Sequence, residues 1–262
     1  MQYKFIDVSR WQGVVDWEKV KGKVDGVIMR AGFGSNTVAT DEYIDMKFVR
    51  NITECNRLGI PCGVYWFSYA LTEADAKKEA ELCLKAIEPY RVELPVCFDL
   101  EYDTVNNAAK KGVTITKKKA TAFAHAFLQT IENAGYYAML YANPDFLNRY
   151  FDETVVRYDL WLAHWFDNPD FAKPPRECGI WQYGVTRIDG INGDVDGDIA
   201  YKNYPEMIKA CKLNRLHIEK PWYSDAQEWV KANGISDGTR PDEPATRAEV
   251  WQFLYNRCMK GD

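Results

Sequence analysis

The chain has 262 residues, 33 Lys and Arg against 38 Asp and Glu for a net charge of −5, and 47% hydrophobic residues. That length admits one large domain or a medium domain with a small module. The composition excludes disorder as the main state, and the acidic balance argues against a nucleic-acid partner. Aromatic residues reach 14%, with 9 Trp and 16 Tyr. Such side chains suit an aromatic-rich core, and equally a sugar cleft that is apolar yet keeps polar edges.

The first thirteen residues alternate like a strand and lack the charged and apolar segments of a secretory signal. Nor does any apolar run reach the 18 residues of a membrane span. The expectation is synthesis in the cytoplasm without a signal peptide, and no membrane partner. Strands are predicted over Lys4–Ser9, Gly26–Gly34, Gly63–Tyr69, Leu94–Glu101, Tyr137–Asn143, Leu160–Trp165, Gly179–Tyr183 and Val195–Tyr201. Several are apolar at consecutive positions, as strands buried on both faces of a parallel sheet are. Between them, Tyr43–Leu58, Glu73–Ile87 and Lys117–Ala134 carry helical spacing, with Gly59 and Gly135 as stops. Eight strands with helices between the early ones predict an α/β fold, an irregular TIM-like barrel.

Beyond about Tyr204 the composition changes. The division expected is a catalytic barrel over 1–208, a polar linker over 209–220 and a small helical module over 221–262. In the module Gly234 ends one helix, Asp237–Gly238 with Pro241 and Pro244 makes a turn, and Thr246 with Glu249 forms a capping box. About 40 residues are marginal for an independent core, so the module should lean on the barrel or on copies of itself.

The chemistry is expected where strands end. Leu94–Asp103 is an apolar run that closes on Asp99-Leu100-Glu101. Carboxylates at i and i+2 of a strand share a face about 7 Å apart along the backbone, and the C-terminal ends of barrel strands are where catalytic groups sit. The first strand ends at Asp7 and Ser9, the last begins Asp194-Val-Asp-Gly-Asp198, and Tyr65, Trp66, Trp161, Trp165, Trp181 and Tyr183 stand at other ends. A mouth with several carboxylates and a wall of Trp and Tyr is what glycoside hydrolysis requires.

Other chemistry is set aside. The seven cysteines are scattered and never in a C-x-x-C pair, so neither a disulfide framework nor a zinc site is expected. A calcium loop begun at Asp194 would need Gly at 199 and Glu at 205, where Ile199 and Pro205 stand. Gly32-Phe-Gly34 lacks the third glycine of a dinucleotide loop. Of three separated histidines, His125 is expected to pack in a helix, His164 to sit beside the mouth and His217 to lie in the linker. No cofactor or metal is expected.

Seven motifs then carry a resemblance. Asp7-Val-Ser-Arg-Trp-Gln-Gly-Val-Val-Asp-Trp17, Ile28-Met-Arg-Ala-Gly-Phe-Gly34, Gly63-Val-Tyr-Trp-Phe67, Asp99-Leu-Glu101, Leu160-Trp-Leu-Ala163, Trp181-Gln-Tyr183 and Gly193-Asp-Val-Asp196 stand in order over roughly residues 3–205. Together they resemble glycoside hydrolase family 25 lysozymes. The resemblance implies an N-acetylmuramidase that cuts the β-1,4 bond between N-acetylmuramic acid and N-acetylglucosamine in peptidoglycan. It implies Glu101 as general acid, Asp99 as the group orienting the substrate's 2-acetamido arm, and Asp7 and Asp196 as flanking carboxylates. Arg30, Tyr65, Trp66, Trp161, Trp165, Gln182 and Tyr183 are the implied substrate contacts. Both substrate assistance and inversion fit the ~7 Å spacing. Two departures stand out: Trp66 replaces the family's usual His, and Gly197-Asp198 follows the last Asp where an apolar residue and Asn are usual.

The C-terminal segment resembles a single S-layer homology motif, through Tyr223-Ser-Asp225, Asn233-Gly-Ile-Ser-Asp-Gly238, Thr239-Arg-Pro-Asp242 and Thr246-Arg-Ala-Glu249. The resemblance implies binding to a secondary cell-wall polysaccharide through Arg247, or assembly of a homo-oligomer. The whole reading is a phage endolysin acting on the bacterial wall. The alternatives are a bacterial autolysin of the same chemistry, a non-catalytic wall-binding protein, and a hydrolase of another sugar polymer such as chitin.

Overall fold

A computed structural model describes residues 1–35, 43–165, 174–216, 224–233, 235 and 245–259. The chain divides into two units, Met1–His217 and Ile218–Asp262. The first is a closed eight-stranded barrel, β1 (Tyr3–Val8), β2 (Gly26–Phe33), β3 (Cys62–Phe67), β4 (Val96–Asp99), β5 (Ala138–Ala142), β6 (Asp159–Ala163), β7 (Ile180–Thr186) and β8 (Val195–Ala200), in sequence order around the wall. Strands β1 to β7 run parallel, while β8 runs antiparallel to both neighbours. Because β8 descends, its acids come at its start, and Asp196 pairs across from Asp7 at the end of β1.

Strand alternation sorts the side chains. Phe5, Ile28, Cys97, Met139, Trp161, Ile180 and Ala200 fill the barrel, whereas Ile6, Val8, Val27, Met29, Val64, Trp66, Phe98 and Leu140 face the helical layer. That layer is built from α1 (Trp17–Val20), α2 (Phe48–Leu58), α3 (Glu73–Ile87), α4 (Tyr102–Lys110), α5 (Lys117–Asn133) and α6 (Pro144–Arg149). In α3, Thr72 and Asp75 cap each other's backbone N–H groups, and Ala76, Ala80, Cys83 and Ile87 form the buried stripe. Helix α2 starts at Phe48, five residues later than the spacing from Tyr43 predicts. Tyr43 and Ile44 instead strap onto β2, through Phe33 N–H to the Tyr43 carbonyl at 2.8 Å and a bridge between Gly32 and Ile44.

Helix α7 (Tyr204–Ala210) and the turn after it correct the expected linker. Tyr204 and Ile208 join the interior cluster, with Leu213 and Leu216 packed against it. Buried Asn214 accepts from Tyr137 N–H at 2.7 Å and donates to the carbonyls of Val92 and Leu94 at 3.1 and 2.9 Å. Residues 209–216 are therefore part of the barrel unit, because their apolar and amide groups satisfy it.

In the second unit α8 (Ser224–Ala232) and α9 (Arg247–Met259) are described. Thr246 and Glu249 form the expected capping box, with Glu249 N–H to Thr246 Oγ1 at 3.2 Å and Thr246 N–H to Glu249 Oε2 at 2.7 Å. Arg247 is exposed and its guanidinium lies 5.1 Å from the Trp251 ring centre. Gly234, Asp237–Gly238 and most of the segments 217–223 and 233–244 expected to carry the motif lie outside the described residues.

Candidate active site

One end of the barrel opens into a cavity of about 310 Å³ whose lining includes Asp7, Arg30, Tyr65, Asp99, Glu101, Tyr141, Trp161, Trp165, Gln182 and Asp196. It adjoins a depression of about 400 Å³ lined by Arg10, Phe33, Tyr69, Tyr102 and Asp103. Trp11, Arg30, Phe67 and Glu101 border both. The two form one cleft, and Glu101 stands at the junction. A larger depression of about 900 Å³ lies elsewhere on the barrel. There Asp159 is committed to Lys202 and the Tyr204 hydroxyl, at 2.8 and 2.7 Å, which leaves it unsuited to acid–base work.

The acid pair is held by backbone. Ser68 N–H donates to the Asp99 carbonyl at 2.7 Å, and Thr104 Oγ1 donates to the Ser68 carbonyl at 2.6 Å. Glu101 sits at the start of α4, its N–H donating to Thr104 Oγ1 at 3.4 Å. Beneath this turn lies Glu79, fully buried, accepting from Ser68 Oγ at 2.6 Å and Tyr69 N–H at 2.9 Å. Burial without a cation pushes Glu79 up to about 8.

Asp99 and Glu101 stand two residues apart at the end of β4 and border the same cavity, so each acts on the other's titration. Burial first, then the Glu101 charge, raises Asp99 well above the usual carboxylate range. Burial first, then Asp196 and Asp103, raises Glu101, with the bond to Asp99 opposing. Two buried carboxyls this near each other cannot both ionise cheaply, so the pair resists losing its last proton more than a free carboxyl does. Asp7 is raised by burial, then by Asp198 and Asp196, and Asp196 by burial. Among the described residues Arg30 is the one cation lining the inner cavity. It is committed to buried Asp45, at 2.8 Å from Nε and 2.6 Å from the terminal nitrogen.

Gln182 joins the site together. Its amide oxygen accepts from the Tyr141 hydroxyl at 3.2 Å and from Trp165 Nε1 at 3.0 Å, which turns Nε2 onto Asp7 Oδ2 at 2.8 Å. Tyr141 is a site residue that sequence reasoning missed. Counting alternate positions from Tyr137 along β5 was the signal, since Tyr137, Met139 and Tyr141 all face inward. Trp11, 74% exposed, and Trp165, 56% exposed, stand at the rim as open aromatic faces.

Two expected contacts are corrected. Trp66 lies between the inward Tyr65 and Phe67, so its ring points to the helical layer. It is fully buried there against Gly32, with Nε1 donating to the Gly34 carbonyl at 3.3 Å. Tyr183 occupies a bulge in β7 between Gln182 and Gly184, and its hydroxyl fills the space a Cβ at Gly197 would take. The neighbouring Trp181 also turns outward, onto the His164 carbonyl at 2.8 Å. Neither Trp66, Tyr183, Trp181 nor His164 borders the mouth. His125 packs as expected, between the hydroxyls of Tyr158 and Thr154 at 3.2 and 2.7 Å.

A closed barrel with paired inward acids at one end matches the Glycosyl hydrolases family 25 model over residues 6–191. The chain belongs to that family. Among its relatives are Lysozyme M1 of Streptomyces globisporus, 25% identical over 202 residues, covering 73% of this chain and 65% of the lysozyme, and the uncharacterized protein YegX of Escherichia coli K12, 26% identical over 204 residues, covering 74% of this chain and 68% of that one. The modular autolysin LytC of Streptococcus pneumoniae, solved with a synthetic peptidoglycan ligand, superposes with a TM-score of 0.64 at 28% identity, covering 76% of this chain. This family 25 chain spans about half the length of that autolysin, 47%.

Proposed function

We propose that the protein hydrolyses peptidoglycan at the β-1,4 bond between N-acetylmuramic acid and N-acetylglucosamine. The observation that carries the reading is the buried Asp99 beside Glu101 at the junction of a cleft rimmed by exposed Trp11 and Trp165. Family membership and the likeness to LytC point to the same substrate. Glycan lies along the cleft with its scissile oxygen at Glu101. Glu101 gives its proton to that oxygen as the bond to the anomeric carbon breaks. In this reading Asp99 holds the 2-acetamido group, whose carbonyl oxygen attacks the anomeric carbon. Water then opens that ring, with Glu101 as base. Asp7 and Asp196 stabilise the positive charge that develops on the sugar.

In this reading the C-terminal unit keeps the enzyme on the wall by gripping an acidic secondary polysaccharide through Arg247, or by joining copies of the chain. The setting we propose is a phage endolysin made in the host cytoplasm. The likeness to LytC favours a bacterial autolysin as the second setting. The test is mass analysis of purified peptidoglycan after digestion. New reducing ends at muramic acid are expected; reducing ends at glucosamine, or released peptides, would overturn the reading.

A further inference from the structure

Below the working pair lies a second pair of carboxyls. Asp198 follows Asp196 by two residues on β8, so both face inward, with Asp198 one layer deeper beside Phe5 and Gln182. It is fully buried, at 0% exposure. Its Oδ1 accepts from Trp161 Nε1 at 2.7 Å, while Asp7 Oδ2 accepts from Gln182 Nε2 at 2.8 Å. Each carboxyl thus has one N–H donor. Asp198 Oδ2 is buried with no donor among the described residues, and Asp198 faces inward beside Asp7 on the neighbouring strand, where its charge is the second cause, after burial, of the rise in Asp7. A buried carboxyl oxygen without a donor, beside a second buried carboxyl, is satisfied by a proton shared between the two.

We propose that Asp7 and Asp198 share one proton across the working pH range, which makes Asp198 a positioning residue that fixes Asp7 in the mouth. The surroundings agree from every side. Asp196 on the same strand, Gln182 on β7, Trp161 on β6, Cys97 and Asp99 on β4, and Tyr65 on β3 are the groups that act on the pair. None of these is a cation, and Arg30 on the adjacent β2, which lines the same cavity, is committed to Asp45. Burial, with the charge of Asp196, pushes Asp198 up to about 8. The sharing gives the buried floor a charge of −1 where two free aspartates would carry −2.

The sign of the pH effect follows. A carboxyl whose pKa is raised on folding binds its proton more tightly in the native state. Its contribution to stability is present below the unfolded value near ~4 and is lost as pH rises toward about 8. Asp198→Asn replaces the shared proton by a permanent amide donor to Asp7. The variant should flatten the fall in melting temperature between about pH 4 and 8. Asp198→Ala, which leaves Asp7 with Gln182 but no carboxyl beneath it, should lower kcat about tenfold with KM little changed, and Asn should rescue it. Wild-type protein labelled with ¹³C-aspartate gives a second reading that needs neither a variant nor a substrate. One aspartate of the pair should titrate above pH 7, and its signal should vanish in Asp198→Asn. The kinetic arm rests on the hydrolytic reading of Asp7, whereas the titration and melting arms stand without it. Both aspartates ionised at pH 6, or an unaltered pH–stability slope in Asp198→Asn, would overturn the proposal.

Discussion

The two faces of the barrel wall use the same aromatic residues for opposite ends. On the inner face Trp161 donates to Asp198 and Trp165 to Gln182, so each indole N–H orders a group that borders or supports the acids. On the outer face Trp66 and Trp181 spend theirs on the backbone carbonyls of Gly34 and His164, and pack. Strand parity makes the difference, since Tyr65 and Trp66 are adjacent in sequence and face opposite ways. Neither residue type nor closeness to a strand end assigns a residue to the cleft.

That contrast breaks most readily in stability. Trp66→Ala empties a fully buried site and should cost about 3–5 kcal/mol in chemical denaturation, with KM for wall fragments unchanged in the protein that folds. Trp165→Ala, at the exposed rim, should do the reverse. Its melting temperature holds while KM rises about fivefold, the loss of roughly 1 kcal/mol of aromatic contact with sugar. A KM effect at Trp66 or a large stability loss at Trp165 would break the assignment of faces. The smallest effect sharpens it from outside the barrel. Arg247→Ala should weaken retention on intact walls about threefold, as the loss of one exposed charge does, in a sedimentation assay with purified walls. Hydrolysis of soluble fragments should not follow that loss.

Much of the barrel was legible because its strands are short apolar runs bounded by turn residues, and all eight lie where those runs predict them. The helices that escaped are short or disguised. Helix α4 begins at Tyr102, directly after the acid pair, with Thr104, Val105 and two asparagines in its first turns, residues that read as loop. Helix α7 carried Asn203 as cap and Pro205 in its first turn, but the change in composition there suggested a linker. Asp7, Asp99 and Glu101 stood out as strand-end acids, whereas Asp196 was singled out from Asp194 and Asp198 only by the family resemblance. Trp66 and Tyr183 were misplaced because position along a strand outweighed parity, and because a bulge at Tyr183 leaves no mark beyond Gly184. The pairing of Asp198 with Asp7 was hidden for another reason. It joins the first strand to the last, and only closure of the barrel brings them together.

The proposed hydrolysis stands or falls on Glu101 delivering a proton to the scissile oxygen. Glu101→Gln keeps the shape and the amide's hydrogen bonds but carries no transferable proton. Turnover of purified walls by this variant, measured beside its melting temperature, is the direct test. The account predicts a fall of about 10³-fold in kcat with an unchanged melting curve. Hydrolysis at the wild-type rate by the folded variant would contradict it.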